Sequence, residues 1–79
     1  MPDHNAIMEE ERKLRRLRLI ISLTTSVIAE GNLSFNESLR MIEGAKRAAL
    51  AIFPDKEAVF DLIYIPRFRR LLNEVYGRH

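Results

Sequence analysis

Ser34–Pro54 reads SFNESLRMIEGAKRAALAIFP, and it carries its own start, stop and buried stripe. Ser34 and Glu37 form a capping-box pattern, in which the serine oxygen takes an orphan amide and the glutamate returns to the cap. Leu33 before the cap faces Ser38 across the first turn, so the usual hydrophobic staple is poor. Phe35, Leu39, Ile42, Ala45, Ala49 and Ile52 recur at three- and four-residue steps, which predicts one apolar helix face. Arg40, Glu43, Lys46 and Arg47 fall off that stripe and are expected in solvent. Pro54 has no amide hydrogen and restricts Phe53, so the helix stops there. The alanines in this stretch favour a close neighbouring helix. Gly44, which costs up to ~1 kcal/mol in a helix interior, is best explained by close backbone packing.

Upstream, Ile7, Leu14, Leu17, Ile21 and Ile28 keep one apolar seam, which Thr24 interrupts. Glu9, Glu10 and Glu11 precede Arg12, Lys13, Arg15, Arg16 and Arg18, with Glu9–Lys13 and Glu11–Arg15 at the favourable four-residue spacing. Asp3 or Asn5 is the candidate cap, and Gly31 is a natural stop after Glu30. A helix over 5–30 runs roughly 39 Å, against about 30 Å for the central one. Its charged end is therefore expected to overhang. The basic run before LIISLTTSVIA imitates a secretory signal, but the three glutamates ahead of it and the hydroxyls within it argue against one. Arg18 also cuts the apolar run well short of the ~20 residues of a membrane span. The hydroxyls Ser22, Thr24, Thr25 and Ser26 are expected to bond back to their own helix or face water.

Downstream, Asp55 is the expected cap of a third helix, with Glu57 near its positive end. Val59, Phe60, Leu62, Ile63, Tyr64 and Ile65 point nearly all round it. Such a helix is either enclosed by its own protein or awaits a partner. One reading makes these residues of Val59–Ile65 core, wedged between the other helices; the other makes Val59, Phe60, Ile63 and Tyr64 a partner-binding surface. Pro66 is expected to break or kink this path, opening a fourth helix with Phe68, Leu71, Leu72 and Val75 inside. Arg67, Arg69 and Arg70 then stand outward, with Tyr76 beyond them and Gly77 after the end.

The expectation is an all-α single domain over 1–79, a small bundle of three to four helices, with 1–5 and 77–79 loose. Seventy-nine residues give one marginal core, and there is no cysteine to staple it. Two histidines, at the two ends, make a metal site a poor expectation, and no cofactor or small-molecule site is evident. No nucleophile sits beside a base, and no glycine-rich phosphate loop exists. The favoured expectation is a non-catalytic, cytoplasmic protein–protein interaction module that associates with itself, most simply as a homodimer, or with another helical protein. The alternative is non-specific nucleic-acid binding, with Arg12, Arg15, Arg16, Arg67, Arg69 and Arg70 contacting phosphates. A net charge of +2 gives that alternative little help.

Overall fold

A computed structural model describes residues 4–77 as three α-helices with no strand among them. Of the ends expected to be loose, 1–5 and 77–79, residues 1–3 and 78–79 lie outside the described residues, while His4 and Asn5 belong to the first helix. Helix α1 spans His4–Ala29, α2 Phe35–Ile52 and α3 Glu57–Tyr76. Asn5 lies inside α1 and so cannot cap it. At Gly31 the backbone turns to φ +77°, the left-handed conformation that glycine tolerates at a helix stop. The capping box at the start of α2 is complete: Ser34 N–H donates to Glu37 Oε1 (2.7 Å) and Glu37 N–H to Ser34 Oγ (3.1 Å). These bonds hold the Glu37 carboxyl below its ordinary pKa of 4.5. The stability they contribute is present above that value and is lost as pH falls through the lower folded-state value. Phe53 N–H closes the last turn of α2 on Ala49 O at 2.9 Å.

The core is Ile28 from α1, Ile42 and Ala49 from α2, and Phe60, Phe68 and Leu72 from α3. Burying a phenylalanine such as Phe60 or Phe68 contributes about 1.5–3 kcal/mol. Two stripes are rotated from the expected ones. On α1, Thr24 does not interrupt the seam but belongs to it: it is buried, and its hydroxyl donates to Ile20 O at 2.8 Å. On α2 the buried positions are Ser38, Ile42, Ala45 and Ala49, while Phe35 and Leu39 are left 47% and 37% exposed. The reason is polar. Tyr76 of α3 donates its hydroxyl to Leu33 O (2.7 Å), so Ser38, at 2.6 Å, donates its own proton to the phenol oxygen. Ser38 is thereby satisfied at zero exposure, and Phe35 packs edge-on against the Tyr76 ring at 5.6 Å. Tyr76 faces inward rather than beyond the arginines.

Three further expectations need correction. Helix α3 passes through Pro66 without a break, so there is no fourth helix among the described residues. A proline inside a helix removes the bond to the carbonyl four residues back, which here is that of Leu62. Leu62 is 77% exposed, so this turn of α3 lies at the surface. Asp55 is not the cap of α3: Lys56 takes the cap position and makes no side-chain bond. Gly44 has no close neighbour either, because an added Cβ would meet only the tip of Arg47, at 3.9 Å. Close packing does not explain this glycine.

The helices have 26, 18 and 20 residues, roughly 39, 27 and 30 Å at the usual rise. Helix α1 outruns the others, and every residue from 4 to 16 is exposed. The protruding end is the charged one. The molecule measures 54 × 22 × 16 Å with a radius of gyration of 14.5 Å. A compact chain of this length would have about 11.6 Å.

Replacing Tyr76 by phenylalanine removes the clasp while keeping the ring. It strands the buried Ser38 hydroxyl and should cost about 1–3 kcal/mol. Thermal melting should show a fall of roughly 4–8 °C per kcal/mol in a domain of this size. An unchanged melting temperature would show that the clasp is not needed.

Candidate functional site

At the end where α1 protrudes, the three helices leave an open groove of about 320 Å³. Leu14 and Leu17 of α1 form one wall, Leu50 of α2 and Phe53 after it form the floor, and Val59 and Ile63 of α3 form the other wall. Glu10 and Lys56 stand among the lining residues as its charged members. Leu14, Val59 and Ile63 are 39%, 44% and 42% exposed. Ile7 and Met8, at 44% and 41%, extend the apolar surface along the protruding helix. Lys13 reaches back over the Phe53 ring, 6.0 Å from its centroid, the outer reach of a cation–π contact. A second groove of about 300 Å³, lined by Phe35, Leu39, Ile65 and Arg69 among others, lies between α2 and α3.

The four residues expected to bind a partner divide. Val59 and Ile63 line the groove from exposed positions; Tyr64 is half-buried. Phe60 is 3% exposed and belongs to the core, stacked at a tilt on Tyr64 at 5.4 Å. Phe60 therefore lines the groove from a buried position, while Val59 and Ile63 line it from exposed ones. Spacing alone missed the α1 contribution, because Leu14 and Leu17 look like ordinary seam residues until α2 is seen to end beside them.

The six arginines expected to bind phosphate are all exposed. Arg12, Arg15 and Arg16 ride on the protruding half of α1, beside the Phe53 end of α2. Arg67, Arg69 and Arg70 lie between Tyr64 and Tyr76, toward the end where α3 meets the α1–α2 turn. Arg67 is placed over the Tyr64 ring, 5.7 Å from its centroid.

Lys46, expected in solvent, ties α2 to the first turns of α3 instead. Its ammonium lies 3.0 Å from Glu57 and 2.8 Å from Asp61. Those two carboxylates stand one turn apart on α3 and would repel without it. Their hydrogen bonds, that of Asp61 first and Glu57 second, raise the Lys46 pKa above its ordinary 10.5. The bridge braces the α3 wall of the groove.

Among the described residues, no helix is long and apolar enough to cross a membrane, and no group of three histidine, cysteine or carboxylate side chains is placed to hold a metal ion. No known protein family, curated protein or solved structure matches the chain at a significant level.

The pH dependence of the brace has a definite sign. A lysine pKa raised by folding contributes stability that is intact below 10.5 and is lost as pH rises through the folded-state value. Denaturant unfolding should find wild type more stable than Lys46→Met at neutral pH. The gap should close as pH rises past 10.5. A gap that is constant across that range would show that the bridge carries no such linkage.

Proposed function

We propose that this chain is a small helical protein-interaction module, non-catalytic and self-associating, that docks through the groove at the protruding end of α1. The observation that carries the reading is the open apolar groove, with Leu14, Val59 and Ile63 exposed around it. Scattered apolar residues on a surface need no explanation, but a contiguous set lining a concavity marks an interaction site.

Surface area supports the same reading. Folded chains of 9.2 kDa expose about 4,900 Å² by the usual size scaling. This one exposes 5869 Å². The surplus is on the order of 900 Å². A standard protein–protein interface covers about 800 Å² on each partner. A small domain with one thin core and no disulfide also gains most from such a cover. The nucleic-acid alternative has less in its favour, because a net charge of +2 is small for a polyanion partner.

Self-association through the groove should make the melting temperature rise with protein concentration, since anything that binds only the folded chain stabilises it by mass action. Ile63→Asp, which puts a charge on the groove wall, should remove that dependence. Leu19→Asp, at an exposed position outside the groove, should keep it. A wild-type melting temperature that is flat across a hundredfold dilution, or an Ile63→Asp protein that keeps the slope, would overturn the reading.

A further inference from the structure

We infer that the surface received by this groove is the protruding first half of α1 from a second copy of the chain, laid antiparallel across a two-fold axis. The inference rests on the docking reading above and adds the partner and its orientation. Three observations carry it.

The first is the bare helix itself. Residues 4–16 of α1 are helical yet exposed throughout. A helix of this length is marginal in water unless packing supports it. Among the described residues its own chain meets this segment near Glu10, Lys13 and Leu14, at the groove, and still leaves it exposed, so a partner there adds support.

The second is the order of charge. Glu9, Glu10 and Glu11 come first, then Arg12, Lys13, Arg15, Arg16 and Arg18. Laid antiparallel, each copy sets its acidic turn against the basic run of the other. A parallel pairing would stack acid on acid and base on base. A two-fold interface must be complementary to itself, and this segment is so in one orientation only.

The third is the placing of apolar groups. Ile7 and Leu14, two turns apart on the same helix face, bracket the acidic turn and are both exposed. The same antiparallel overlap, which sets Glu9–Glu11 against Lys13–Arg15, carries the Ile7 of each copy toward the Leu17 of the other, on the wall of the groove that Val59 and Ile63 complete. The surplus surface estimated above is close to what one partner of a standard pair covers. Two copies therefore suffice.

Charge reversal tests the orientation directly. One variant carries E9K, E10K and E11K; the other carries R12E, R15E and R16E. Each faces its own kind with like charges, so each alone should associate at least a hundredfold more weakly than wild type at low salt. An equimolar mixture restores opposite charges at both ends. Native mass spectrometry should then show one mixed pair and few like pairs. Far-UV circular dichroism checks that both variants stay helical; if either unfolds, the milder pair E10K and R15E takes its place. Variants that self-associate like wild type, or a mixture no tighter than its components, would overturn the antiparallel pairing. If Ile63→Asp still abolished association in that case, the docking groove would stand and only the orientation would fall. A wild-type chain that stays at single mass would remove the second copy altogether.

Discussion

Unequal helix length is the constraint from which the rest of this structure follows. Helix α2 has 18 residues against 26 in α1, and a capping box at one end and Pro54 at the other fix its extent. Only the stretch of α1 that lies beside it can share a core with α3. Ile28, Ile42, Phe60 and Phe68 fill that shared length, and residues 4–16 stay exposed. The groove is where the shared core runs out. It exists because α2 stops beside Leu14 while α1 continues.

The two ends of the bundle are fastened by different chemistry, and the difference suits their roles. At the end where α1 turns into α2, the Tyr76 phenol joins Leu33 and Ser38 in a half-buried, directional clasp. Such bonds permit one geometry, and breaking them strands polar groups away from water. At the groove end the fastenings are a partly exposed ion-pair bridge at Lys46 and a long cation–π contact from Lys13 to Phe53. Exposed pairs contribute little each and are weakened by salt. The closed end is held in one geometry, while the open end is held by weaker, more adjustable contacts.

Much of the architecture was legible because its signals are local. Ser34 with Glu37, Pro54 and Gly31 each act within a turn or two of their own position, and they placed the limits of α2 and the end of α1 correctly. What stayed hidden depends on distant partners. Nothing near Ser38 announces that a tyrosine from α3 will satisfy it in the core, so the apolar spacing alone drew the expected stripe through Phe35 and Leu39. Thr24 misled differently: its bond to Ile20 is local and was expected, but that bond also makes a polar residue fit for burial. Pro66 looked like a break because a lost helical bond is costly in isolation; α3 passes through it with Leu62 at the surface. In the groove, the apolar character of Val59 and Ile63 was visible, but their division from Phe60 depends on where α2 ends. The part played by α1 was out of view until its length could be set against its neighbours.

The claim beneath all of this is that one chain leaves more apolar helix uncovered than it can keep in water, and that a second copy covers it. Sedimentation equilibrium over a wide concentration range tests it most directly. The account expects a mass that converges on twice the 9.2 kDa of the chain as concentration rises. A single-chain mass maintained up to millimolar protein would contradict it.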